Sequence, residues 1–132
     1  MTRLEEITVI MTSVGTEQQA VEISEELIAR RLATCVNIVP CLRSIYRWKG
    51  KICEDTEYLL FIKTPERLFE RVSAAIREFH SYELPEILAL PVSAAEESFH
   101  RWILQMVEPG DDDVDDVDDV DDGEDDEDQV LD

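Results

Sequence analysis

An α+β fold is predicted for residues 1–108 by three features of the sequence. Short β-rich runs alternate with stretches whose apolar residues recur at helical spacing. Two long strand-like runs flank the dipeptide Lys49-Gly50. The extreme acidity of the chain is concentrated in its last segment, which leaves an ordinary globular body before it.

The elements follow in order. Ile7-Thr8-Val9-Ile10-Met11-Thr12 is a β-rich run ended by a turn at Gly15. Thr16, with Gln19 three residues on, predicts a capping box. Ala20, Ile23, Leu27, Ile28 and Leu32 then share one face, opposite Glu22, Glu25, Glu26 and Arg30, which predicts a helix over about 17–32. Cys35–Trp48 and Lys51–Lys63 read as strands of one hairpin, and Gly50 supplies the positive φ that its turn needs. Pro40 cannot donate to a ladder, so a bulge or an edge position is expected there. Thr64-Pro65 predicts a second helix start over 65–80. Leu68, Val72, Ala75, Ile76 and Phe79 line its buried face. A short strand is expected over Glu86–Val92. Ser93 with Glu96 predicts a third capping box. Phe99, Trp102, Ile103, Met106 and Val107 stripe a last helix, read as packing surface, which Pro109-Gly110 ends.

The order β-α-β-β-α-β is the split βαβ, or ferredoxin-like, plan with an added C-terminal helix. Its two helices should cover one face of a four-stranded antiparallel sheet. The long central hairpin does not fit inside such a body. Thirteen or fourteen residues at about 3.3 Å span roughly 45 Å. A body of this size is roughly 34 Å across. About 10 Å of ribbon should project, carrying Ile45, Tyr46, Trp48 and Ile52, unless a bend at Pro40 folds it over its own sheet. Exposed aromatics on a bare ribbon favour packing on a sister copy.

Of 132 residues, 32 are acidic and 12 basic, a formal charge of −20. Residues 109–132 hold 15 of the acids and no base, so the body carries 17 acids, 12 bases and a net charge of −5. The expected division is therefore a body over 1–108 and a disordered acidic tail over 109–132. No EF-hand loop fits the tail: in the window from Asp118, Val120 and Gln129 stand where oxygen ligands belong. An acidic body argues against nucleic acid. No apolar stretch approaches the roughly 20 residues of a membrane span. Glu5 and Glu6 are wrong for a secretory or transit leader. Three cysteines, Cys35, Cys41 and Cys53, have no close-pair spacing. With no export signal they suggest reduced thiols in the cytoplasm. Cys35 and Cys41 nominally share a strand face, which Pro40 can alter.

Several ordered motifs now carry a likeness: Leu32-Ala33-Thr34-Cys35-Val36-Asn37-Ile38, Ser44-Ile45-Tyr46-Arg47-Trp48-Lys49-Gly50-Lys51, Glu57 to Lys63-Thr64, His80-Ser81-Tyr82-Glu83-Leu84-Pro85-Glu86-Ile87, Leu90-Pro91-Val92 and Trp102-Ile103. Over residues 6–107 the chain resembles the CutA family of divalent-cation tolerance proteins. The resemblance implies a ferredoxin-like protomer in a tight homotrimer, similar in outline to PII signalling proteins. It implies a role in tolerance of copper or other divalent ions, by metal binding or by signalling, and no catalytic reaction. Some family members hold copper through a Cys near the end of the first strand and a His-His pair before a Pro-Tyr. Here those positions hold Met11 and Phe79-His80, with Ser81 in place of the Pro. A thioether and an imidazole suit Cu(I). His80 and Met11 are therefore the candidate metal ligands. His80 has a plainer reading, as a residue favoured at a helix C-terminus.

The resemblance also implies a cleft between subunits. Glu57 and Lys63 lie six apart on one strand and share a face. With Tyr82 and Glu86 they form a candidate polar cluster for a small anion, a nucleotide or a small polar ligand, or else a salt-bridge network that fixes the trimer. Tyr46 and Trp48 are candidate ligand-stacking residues of that cleft, or interface anchors. An acylphosphatase is set aside: the loop Ser13-Val14-Gly15-Thr16 has no Arg, and Asn37 is the sole Asn.

Overall fold

The computed structural model describes residues 3–110. The expected tail falls outside the described residues from Asp111 onward. Strand β1 is Ile7–Val14, helix α1 Glu17–Ala29, strand β2 Cys35–Trp48 and strand β3 Lys51–Pro65. Helix α2 is Phe69–Phe79, strand β4 Leu88–Pro91 and helix α3 Glu97–Gln105. The strands form one antiparallel sheet in the order β2-β3-β1-β4. This is the split βαβ plan with its extra helix.

The core forms because the strands offer alternate residues to α1 and α2. Ile10 and Val14 of β1 join Leu60 and Ile62 of β3 with Ile23, Leu27, Val72 and Ile76, all essentially solvent-free. Fully burying each such aliphatic side chain contributes about 1.5–3 kcal/mol. Alternation sends Val9, Met11, Ser13, Glu57 and Lys63 to the opposite face. Helix α3 lies near the Lys63 end, tied by Thr34 Oγ1 donating to Ile103 O (2.6 Å). Ile103 and Val107 are buried, whereas Phe99, Trp102 and Met106 of the same stripe stay exposed.

Two element starts differ from expectation, and a third keeps its cap but not its capping box. Thr64 caps nothing. It is buried in β3 and its hydroxyl donates to Leu32 O, while Glu66–Leu68 form a 3₁₀ turn before α2 begins at Phe69. Helix α3 is capped by Glu96, whose carboxylate accepts from Phe99 N–H, and not by Ser93. Thr16 does cap α1, but Gln19 sends its side chain across to Phe79 O instead of back to the cap. Helix α1 stops at Ala29 because Arg31 turns left-handed (φ 59°), so that Leu32 N–H closes on Leu27 O. Strand β4 is only four residues long.

The hairpin behaves as two pieces. Strand β1 pairs with β3 only from Tyr58 to Pro65. Beyond that, Lys51–Glu57 pair with β2 alone. The break lies at Pro40-Cys41, two residues that face the single residue Tyr58 between the pairs Val39–Leu59 and Leu42–Glu57. This is a β-bulge on an edge strand, and Cys41 takes φ 63° within it. The two-residue turn has positive φ at both Lys49 (51°) and Gly50 (81°), the geometry that matches strand twist. The ribbon beyond β1 is seven residues per strand, roughly 23 Å. Ile45 and Ile52 near its tip are 66% and 72% exposed.

Candidate functional site

At the bulge the side-chain alternation of β2 skips one residue. Before it, Val36 and Ile38 pack toward the helices. After it, Ser44, Tyr46 and Trp48 share the face of Asp55 and Glu57, away from the helices. The segment 80–87 passes over that face and encloses a cavity of about 640 Å³. Tyr46, Trp48, Glu57, Tyr82 and Glu86 all line it, together with Ser13, Glu83 and Leu84.

His80 fixes the segment in place. Its Nε2 lies 2.8 Å from Ser13 O, and its Nδ1 lies 3.1 Å from Tyr82 N. An amide can only donate, so Nδ1 accepts and Nε2–H donates to the carbonyl. Both nitrogens of the neutral ring are then used. Burial holds the His80 pKa below its ordinary value, against the opposing pull of the Ser13 carbonyl and the Glu57 charge. Tyr82 follows, its ring 4.8 Å from that of His80, and its hydroxyl donates to Glu57 Oε2 at 2.5 Å. Gly15 makes room: a Cβ there would lie 3.3 Å from the Tyr82 hydroxyl. Burial, then the bond to Glu57, pushes the Tyr82 phenol well above its usual value. Tyr46 donates in the same way to Asp55, and its phenol is pushed up to about 12, chiefly by that bond. Ser13 Oγ donates to Glu86 at 3.4 Å. Both phenols thus stay protonated and act as donors to carboxylates.

Two sequence candidates stand apart from this cavity. Lys63 is six residues along β3 from Glu57, roughly 20 Å, and its Nζ lies 5.6 Å from the centre of the Phe99 ring. Within one copy the two residues share a face of the sheet and not a cavity. Met11 sits in mid-sheet between Phe61 and Leu88 and is not part of the lining. A metal at His80 would have to displace one of the two hydrogen bonds just described. No group of three or more His, Cys, Asp or Glu among the described residues is disposed to hold a metal ion. The cavity contributors not named as site residues from the sequence are Ser13, Ser44, Ile45, Glu83 and Leu84, with Gly15 behind them. Ser44, Glu83 and Leu84 stand inside the motifs quoted above, and the Gly15 turn adjoins Ser13.

Fold and cavity define a class: a ferredoxin-like α+β protein with an overlong hairpin and an acidic, aromatic cleft at the hairpin's root. The sequence profile of the CutA1 divalent ion tolerance protein family matches residues 8–106, and the chain belongs to that family. It is 41% identical over 95 residues to the divalent-cation tolerance protein CutA of Thermus thermophilus, covering 72% of this chain and 92% of that one. It is 41% identical over 98 residues to human protein CutA, covering 74% of this chain but 55% of the human one. The crystal structure of CutA1 from Oryza sativa superposes with a TM-score of 0.79 at 31% identity, over 81% of this chain and 98% of that one.

Proposed function

We propose that the chain acts in tolerance of divalent cations as a homotrimer, by binding and signalling instead of catalysis. The observation that carries this reading is the arm. Ile45, Tyr46, Trp48 and Ile52 are exposed on a two-stranded ribbon that has no third strand beside it among the described residues. Such a ribbon is marginal in water until it packs on something. Sister copies satisfy it, and the number three comes from the family resemblance. Binding is preferred to catalysis because the His80 ring and both phenols are already engaged in hydrogen bonds, which leaves carboxylates as the open groups of the cleft. Free cysteines at 35, 41 and 53 suit a reducing compartment such as the cytoplasm.

The runner-up is a PII-like sensor with a small anion or nucleotide in the cleft. It has the cavity in its favour and the charge against it, because the lining carries Glu57, Glu83 and Glu86 and neither Lys nor Arg. Light scattering at micromolar protein tests the proposal, with titration of Cu(I), Cu(II) and Zn(II) into the same sample. A trimer mass with a heat of saturable metal uptake is expected. A single-copy mass in folded protein, or an assembly indifferent to all three metals, would defeat it.

A further inference from the structure

The same cavity has a chemistry that tolerance of metal ions does not use. Glu57 is 4% exposed, yet Tyr82 donates to only one of its oxygens, and among the described residues no Lys, Arg or His forms an ion pair with it. A buried carboxylate of this kind is costly without a positive partner. It opens on a space lined also by Tyr46, Tyr82, Trp48, Glu83 and Glu86. At about 640 Å³ the space is far larger than one metal ion and lies within the usual range for small organic ligands. Its carboxylates do not converge as a metal shell. Large, diffuse cations are recognised differently, by aromatic rings around the charge and one carboxylate as counter-ion.

We propose that the cavity enclosed by Glu57, Tyr46, Trp48 and Tyr82 binds a small organic ammonium ion. Glu57 supplies the counter-charge, and the three rings accept the alkyl groups that carry the positive charge outward. Tyr82 and Tyr46 serve better here because their hydroxyls are already bound to carboxylates, which leaves the rings held in place. Trp48 gives the arm a second use beside packing. A small anion meets three carboxylates in the same space, and a bare divalent ion meets too few oxygens at once.

Choline chloride is the probe, titrated calorimetrically into the full chain at about 150 mM KCl, where the field of the acidic segment is screened. The control is 3,3-dimethylbutan-1-ol, which has the same shape without charge. Saturable choline binding is expected, at least tenfold tighter than the alcohol. Glu57→Gln should weaken it at least tenfold. Because Gln at a buried site can disturb folding, the exposed pair Glu83→Gln with Glu86→Gln provides a second variant, expected to weaken choline several-fold and leave the alcohol unchanged. Equal binding of choline and the alcohol, an unsaturable choline heat, or full affinity in both variants would overturn the assignment. The assembly mass and the metal heats are read separately, so the loss of either reading leaves the other standing.

Discussion

The two halves of the central hairpin share strands, composition and hydrogen-bond pattern, but not their fate. In the lower half, Val36, Ile38, Leu60 and Ile62 meet helices and a neighbouring strand, and the β3 pair is fully buried. In the upper half, Ile45 and Ile52 meet solvent. The difference shows that β-propensity makes a strand, while burial is decided by what else reaches it. Strand β1 ends at Val14, opposite Tyr58, and the core ends with it.

The comparison is broken most forcefully by truncating one residue in each half. Leu60→Ala should cost about 2–5 kcal/mol in urea unfolding, as cavities in packed cores do. Ile52→Ala should change the stability of the single fold by less than about 0.5 kcal/mol. Equal losses would mean that the arm is as much a part of the core as the sheet. Trp48→Ala sharpens the contrast from the other side: assembly should weaken while the circular dichroism spectrum holds, and an unchanged sedimentation profile would remove Trp48 as an anchor.

A smaller effect follows from pH. The His80 pKa is depressed, chiefly by burial, so folding favours the neutral ring. Its contribution is complete above the ordinary value of 6.5 and is lost as pH falls through the depressed value. Urea midpoints should therefore decline from neutral pH toward about pH 5, and His80→Ala should flatten that decline. An identical slope in the variant would show that His80 is not the titrating strut. The smallest effect is at the hinge between the halves. Cys41 holds φ 63°. Cys41→Gly relieves that strain at some entropic cost and should raise stability by up to about 1 kcal/mol.

Much of this fold was legible. Period-two runs, Lys49-Gly50 and the apolar stripe from Leu68 to Ile76 name the elements without ambiguity, and Pro40 marks its bulge. Helix starts were less so, because a capping hydroxyl is a short-range signal that tertiary partners can capture. Thr64 prefers Leu32 O, and Gln19 prefers Phe79 O. Of the site candidates, Tyr46, Trp48, Glu57, Tyr82 and Glu86 fall on one cavity, while the pairing of Glu57 with Lys63 by strand periodicity does not fall there within one copy. Alternation gives the side of a sheet but not the position along it, which is why Lys63 shares Glu57's face and meets Phe99 instead. The 80–87 segment has no period at all. Its course depends on His80 bridging to Ser13 O, a contact between residues 67 apart in the chain.

The hinge at Pro40-Cys41 is a spacer inside a ladder that stays in step on both sides of it: Val39 lies opposite Leu59 and Leu42 opposite Glu57. Removing a single codon there would close the bulge and leave every pair from Leu42–Glu57 to the turn as it is, with Tyr46 and Trp48 still on the side of Asp55 and Glu57. What the surplus residue supplies is local bend and extra twist. A frame-preserving deletion would therefore re-aim the arm as a whole without turning over the residues it carries.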